Sequence, residues 1–410
     1  MPETRPLCVV GAGAEAADGI ATARDMGLHV VATDADPEAP GFAVANDRIL
    51  ASTYDVEETT AAVRAYHERV RRVDGVLCIA SDVPLTVAHV ARAVGAPGLS
   101  LEAAHLASDK LAMKERFARD GVAIPAFAPV DGADDLADLI IRHGHPLVVK
   151  PVDSRGARGV LRLAPDVDLA WAYHFARRHS PTGRVMVERF LAGPQVSTES
   201  LVVDGTVHTV GMSDRNYELL DAFAPHMIEN GGALPTRHGE KTRKAIRELV
   251  AAAARSLGIH DGVVKGDIVV HEGVPHVIEI AARLSGGRFC THEIPLATGV
   301  ELVRHAIRVA LGERPSAADL TPRYERGVAQ RYLFPRPGRV RAVRGVGAAS
   351  RSEGVAWSQV RLAPGDVVGP IHSHPARGGS VIAMAETREE AVARAVAAVR
   401  AIEIEIEPAP

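Results

Sequence analysis

The first hundred residues alternate short apolar runs with helix-like stretches, and this order restricts the fold more than any other feature of the chain. PLCVVGAG reads as a strand ending in glycines, AADGIATARDMG as a helix closed by Gly27, and HVVATDAD as a second strand. A helix over residues 57–71, the strand GVLCIAS and a helix over 83–94 follow, with Gly95-Ala96-Pro97-Gly98 as a stop. Strand–helix–strand order with short connections predicts a parallel sheet with helices on both faces. Gly11, Gly13 and Gly19, with the later Asp34, invite a dinucleotide-binding reading, but the third glycine falls at position nine of the motif instead of six. The other reading is a tight strand-to-helix turn whose exposed amides face an anionic substrate.

A chain of 410 residues predicts two to four domains, and 47% hydrophobic with 4% aromatic content predicts cores of Val, Ala, Leu and Ile. A net charge of −4 without any Lys/Arg block gives no nucleic-acid signature. Cys8, Cys78 and Cys290 lack CxxC spacing and read as buried thiols in a reducing compartment. No run approaches a membrane span and no basic leader opens the sequence, so a cytoplasmic protein with no membrane association is expected.

The chemistry concentrates further along. In GDIVVHEGVPHVIEIAARLSGG, Asp267 and Glu279 lie twelve residues apart and Arg283 follows by four. The two β-branched runs predict a hairpin, with Asp267 sharing a face with Val269, and Glu279 with Val277 and Ala281. Acids in such company are costly unless something positive lies between them. Paired carboxylates on rigid strands suit Mg²⁺; two solvated strand acids are the alternative. Upstream, Ser108-Asp109-Lys110 opens the helix DKLAMKERFARDG, and PLVVKPVDSRGARGVLRL is a strand carrying Lys150, a loop over residues 153–159 and a second strand. That loop is either a hairpin turn or a flap whose N–H groups cover a triphosphate; no GxxxxGK[ST] is present. RVMVERFLAG is a strand bearing Glu188, and VSTESLVVDGTVHTVG a hairpin bearing Glu199.

In this order, SDKLAMK, PLVVKP, the Gly-rich loop, VMVERFL and the Asp267/Glu279 hairpin resemble the ATP-grasp superfamily over nearly the whole chain. The resemblance implies an α/β ATP-grasp fold. A pre-ATP-grasp α/β domain would span 1–107, a two-lobed ATP-grasp domain 108–315, and a small α+β lid or dimerisation domain 316–410. It further implies ATP held by Lys110, Lys150 and the loop residues Ser154, Gly156 and Gly159. Glu188, Phe190 and Leu191 would form the adenine hinge, with Glu199 supporting the site or a second metal. Asp267 and Glu279 would hold one or two Mg²⁺, which Mn²⁺ could replace. Where many relatives read E-x-N-x-R, Ala281 stands in place of the asparagine, which weakens a second metal site.

EIAARLSGG and DRNYELLDAFAPHMIENGGALPT resemble the L-amino-acid-ligase branch. That branch implies phosphorylation of a small carboxylate, attack by an amine, and release of ADP and phosphate from what is expected to be a homodimer. Arg283 would brace the acyl phosphate, or else pair with Glu279. His226, Glu229, Ser285 and Gly286 are candidates for the substrate pocket, although Glu199 also reads as a solvent-facing strand residue. His372 and His374 read as a polar lid or interface loop, and Cys290 as a packed thiol. A relative that activates bicarbonate or formate is the alternative function.

Overall fold

The computed structural model describes residues 5–407. The strands Pro6–Val10, His29–Asp34, Asp47–Leu50 and Gly75–Leu77 form the expected all-parallel sheet, with Pro6–Val10 between His29–Asp34 and Gly75–Leu77. Alternation along its first strand separates two cores. Cys8 and Val10 pack with Val63 and Val90 from the helices Val56–Arg69 and Pro84–Val94. Leu7 and Val9 face Ile20 of the helix Ala14–Asp25, together with Val303 and Ile307. Those last two residues belong to the helix Leu302–Ala310, so a distant segment covers part of the first sheet. In the Gly11 turn the Asp34 carboxylate accepts from the Ala12 N–H at 2.9 Å, tying the turn to the next strand.

A second sheet of four antiparallel strands, in the order Phe127–Val130, Val185–Arg189, Leu147–Pro151, Leu161–Leu163, forms a small lobe. It packs Leu147, Val149 and Val187 against Leu136 and Phe175 of the helices Ala133–His143 and Leu169–Arg178. The largest sheet has eight strands and runs from the hairpin Gly262–His271/Val274–Ala281 through Gln195–Val203, Thr206–Arg215 and Gly232–Leu234 to Gly327–Leu333, Gly379–Ala385 and Val355–Val360. Ladder hydrogen bonds therefore cross from this hairpin into the C-terminal segment. The helix Glu240–Ser256 presents Ile246, Val250, Ala253 and Ala254 at helical spacing and buries them on Val264, Ile268, Val277 and Ile280. Among the described residues no helix is long and apolar enough to cross a membrane.

The three units meet near Arg283. Ile79 pairs with Leu284 in an isolated bridge, and the Ala80 N–H donates to the Leu284 carbonyl at 3.1 Å. This contact brings the end of the first sheet to the loop that follows the hairpin.

Candidate active site

A cavity of about 650 Å³ opens where these units converge. Asp267 and Glu279 are directly opposed across the hairpin, and both line it. Lys265, Asp267 and Val269 share the cavity face, as period-2 alternation requires. The expectation for Val277 fails. A bulge shifts the register between Asp267/Glu279 and Ile268/Val277, so Val277 turns into the core while Ile278, Glu279 and Ala281 line the cavity.

Burial would raise the Asp267 carboxyl, but Arg215 and Lys265 overcome it and hold Asp267 well below the usual carboxylate range. The Lys265 ammonium lies 2.5 Å away, the Arg215 guanidinium 3.0 Å away, and the Ser197 hydroxyl donates at 3.0 Å. Glu279 pairs with Lys110 at 3.0 Å. Lys110 sits in the first turn of the helix Lys110–Arg119, which the Asp109 side chain caps by accepting from the Ala112 N–H. Its ammonium also donates to the Ser154 carbonyl at 2.7 Å, joining the hairpin acid to the Gly-rich loop. Although burial opposes the charge, Glu279 and Asp82 raise the Lys110 pKa.

Lys150, on the strand Leu147–Pro151, pairs with Glu188 at 2.8 Å, and Lys114 takes the other oxygen of Glu188 at 3.0 Å. Glu188 is 3% exposed. It holds two lysines and, with the segment Phe190 and Leu191, lines the cavity. Burial raises the Glu188 carboxyl, but its two cations bring it below normal. For Lys114 the balance reverses: burial, aided by Lys150, drives the ammonium down to about 8 despite Glu188.

In the loop, Ser154 and Gly156 line the cavity, but Gly159 does not. Gly159 has φ +76°, and a Cβ there would lie 2.8 Å from both Pro151 and His179, so its part is close packing behind the loop. Arg155 donates to the Asp82 carbonyl at 2.9 Å and lies 3.9 Å over the Tyr54 ring, while the Gly156 carbonyl accepts from the His374 N–H at 3.0 Å. The loop is thus fastened on both sides, by Arg155 and by His374.

Arg283 pairs with Asp82, 3.7 Å away, in place of Glu279. Ser285 and Gly286 line the cavity beside it. Glu199 lies behind the wall, fully buried, accepting the Ser285 N–H at 3.0 Å, and its second oxygen has no partner. Burial pushes its carboxyl up to about 7 against the pull of the Ser285 hydrogen bonds. A solvent-facing glutamate is therefore excluded at this position. Glu229 lines the cavity and is bound by the Arg215 Nε at 2.6 Å. His226 does not line it; its ring stacks on His372 with centroids 4.3 Å apart, beside Phe175 of the small lobe. Cys290 is fully buried and its thiol donates to the Ser285 carbonyl.

Several residues of the site escaped sequence reading. Lys114 follows Lys110 by one helical turn and Lys265 precedes Asp267 by one strand repeat, so periodicity places each on its partner's face. Arg215, Asp82, Glu293, Tyr332 and Trp357 arrive only through tertiary packing.

Comparison with known proteins follows the same outline. Residues 107–287 match the ATP-grasp domain, and residues 331–407 match the L-amino acid ligase C-terminal domain 2. Uncharacterized protein y4rH of Sinorhizobium fredii is 26% identical over 394 residues, 94% of this chain and 79% of that protein. The formate-dependent phosphoribosylglycinamide formyltransferase of Paraburkholderia xenovorans is 33% identical over 192 residues, covering 45% of this chain and 46%, under half, of the enzyme. The crystal structure of L-amino acid ligase from Bacillus licheniformis superposes with a TM-score of 0.83 at 21% identity, covering 99% of this chain and 100% of that one. Residues 107–287 thus carry an ATP-grasp domain and residues 331–407 the C-terminal domain 2 of the L-amino acid ligases, in a chain whose whole fold superposes on that of an L-amino acid ligase.

Proposed function

We propose that the protein joins a small carboxylic acid, an amino acid or a close relative, to an amine through an acyl phosphate, using ATP and Mg²⁺. The observation that carries this reading is the Lys110 ammonium, which touches both the Glu279 carboxylate and the Ser154 carbonyl of the loop, within one cavity.

A carboxylate is a poor acyl donor because oxide is a poor leaving group. One carboxylate oxygen attacks the γ-phosphorus of ATP and ADP leaves. The amine then attacks the carbonyl carbon of the acyl phosphate, phosphate departs, and the nitrogen gives up a proton as the amide forms. Phosphoryl transfer rests on alignment and charge neutralisation. Lys110 and Lys150 would take the α- and β-phosphates, and the amides around Ser154 and Gly156 the β- and γ-phosphates. Arg283 would brace the acyl phosphate and the tetrahedral intermediate, with Asp82 fixing its guanidinium. Asp267 and Glu279 would hold the metal. Their hard oxygens face each other across paired strands and line one cavity, the donor type Mg²⁺ takes, and Lys265, Arg215 and Lys110 now pair with them within 2.5–3.0 Å. When bound, Mg²⁺, or Mn²⁺ in its place, supplies charge neutralisation of the phosphate oxygens.

We divide the chain functionally at 107/108 and 315/316 and place the enzyme in the cytoplasm as a homodimer, as the resemblance implies. The test pools carboxylates and amines and reads ADP, AMP and hydroxamate. ADP with hydroxamate formed in the presence of hydroxylamine is the expected result; stoichiometric AMP and pyrophosphate would overturn the mechanism.

A further inference from the structure

Beyond Arg283 the cavity contains a carboxylate that the machinery above does not use. Glu293 is 3% exposed, lines the cavity, and among the described residues is within ion-pair or hydrogen-bond reach of no side chain or backbone donor. The nearby cations are engaged elsewhere. Arg331 turns its guanidinium to the carbonyls of Gly232 and Gln330, at 3.0 and 2.7 Å. Arg288 pairs with Asp18 and lies 4.1 Å over the Trp357 ring. A buried carboxylate without a partner is costly, and folding alone does not explain its retention here.

The backbone presents Glu293 in an unusual way. Arg288 adopts φ +62°, and the turn Phe289–Glu293 that follows is π-helical, the kind of local irregularity that gathers at functional sites. Tyr332, Trp357 and Ser380 line the same cavity, and both rings are already covered, Trp357 by Arg288 and Tyr332 by Arg377. With these guanidinium groups committed to the rings, the unpaired carboxylate suits an ammonium ion, with which it forms charge-assisted hydrogen bonds.

Building on the proposed ligase activity, we propose that Glu293 binds the α-ammonium group of the amino acid whose carboxylate is activated, making the acyl donor an α-amino acid. The alternative assignment, to the attacking amine, fails on chemistry. An amine in a buried salt bridge is held protonated and has no lone pair for the acyl phosphate. Glu293 therefore serves the nitrogen that must not react, and it blocks that nitrogen from competing as a nucleophile. Burial, with Glu229 nearby, pushes the Glu293 carboxyl up to about 8. An arriving ammonium stabilises the ionised form, so binding near pH 7 releases a proton.

The experiment compares matched acids with hydroxylamine as the acceptor, reading ADP: each proteinogenic α-amino acid against its des-amino counterpart, such as alanine against propionate and phenylalanine against 3-phenylpropionate. Wild-type enzyme should favour the amino acid by about 10- to 100-fold in kcat/KM, the range of one charge-assisted hydrogen bond. Glu293→Gln should erase this preference by weakening use of the amino acid while leaving the des-amino acid as good or better. Glu293→Asp, which keeps the charge, should restore part of it. In the absence of ATP, calorimetry in two buffers of different ionisation enthalpy should detect proton release when the preferred amino acid binds wild type, and none for Glu293→Gln. Equal use of both acids by wild type, or an undiminished preference in Glu293→Gln, overturns the assignment while ADP formation leaves the ligase reading standing. ADP from no acid at all would overturn the ligase reading, and proton release on binding would still test Glu293.

Discussion

Replacing Lys114 by Met should damage nucleotide binding without destabilising the fold. One carboxylate, Glu188, is shared between two ammoniums, and the helix residue Lys114 is fully buried, donating to the Val277 carbonyl at 2.9 Å. A pKa lowered from 10.5 to about 8 means that the charged form costs about 3 kcal/mol more in the fold than in the unfolded chain. Met removes that cost and fills similar space. It forfeits one hydrogen bond to a carbonyl, worth about 1 kcal/mol. Glu188 keeps Lys150, so no carboxylate is left unpaired, and the net change in stability at pH 7 should lie between zero and about 2 kcal/mol in favour of Met. The effect on ATP has the opposite sign. The triad carries a net charge of +1, which Met reduces to zero. At an effective dielectric of 20 a unit charge about 10 Å from a phosphate is worth roughly 1.7 kcal/mol, or more than tenfold in the KM for ATP. The pH dependence supplies a second check. Between about 8 and 10.5 the unfolded chain binds the Lys114 proton and the fold does not, so wild type gains stability as pH rises through this window and Lys114→Met does not. Denaturant unfolding at pH 7 and 9.5, with ADP-release kinetics, measures all three quantities. A loss of 3 kcal/mol or more together with an unchanged KM for ATP would refute the reasoning.

Four further outcomes are expected. Glu279→Gln should fold normally and form no product, since it keeps shape and removes the charge that pairs with Lys110; ordinary turnover with Mg²⁺ would sink the metal assignment. Lys150→Ala should raise the KM for ATP and lower turnover by about 10²–10³-fold in steady-state assays. Arg283→Lys should keep the fold and lose most turnover, because a point charge cannot replace the two-pronged guanidinium; activity near wild type would remove Arg283 from the chemistry. Glu199, raised to about 7, contributes stability below pH 4.5 that is lost as pH rises through 7. Glu199→Gln should therefore gain on wild type above neutrality, by at most about 3 kcal/mol in thermal or denaturant melts, and an unaltered pH profile would count against a buried, protonatable Glu199.

The sequence disclosed what depends on local repeat. Strand–helix order in the first hundred residues dictated the parallel sheet, and two β-branched runs around Glu272-Gly273 dictated the hairpin that opposes Asp267 to Glu279. Alternation failed at Val277 because a bulge adds a residue, which no period-2 count can anticipate. Glu188 was legible as an acid on a strand, but its partner Lys114 comes from a helix more than seventy residues earlier, so its inward orientation was not. Arg283 found Asp82 instead of Glu279 for a similar reason: the first sheet docks on Leu284, a contact without local signature. The continuity of the large sheet through Gly232–Leu234 and Gly327–Leu333 was hidden because a three-residue strand carries too little pattern to announce itself.

The fastening of the Gly-rich loop has a kinetic consequence. Arg155 ties it to Tyr54 and Asp82, and Gly156 ties it to His374, so the cover over the nucleotide is anchored in the first and last thirds of the chain together. In the proposed reaction, nucleotide passing on this side would have to release both anchors. Exit of ADP would thereby be coupled to Asp82, the same residue that holds Arg283. Removing the Tyr54 ring beneath Arg155 should loosen this cover and shorten the time the spent nucleotide stays.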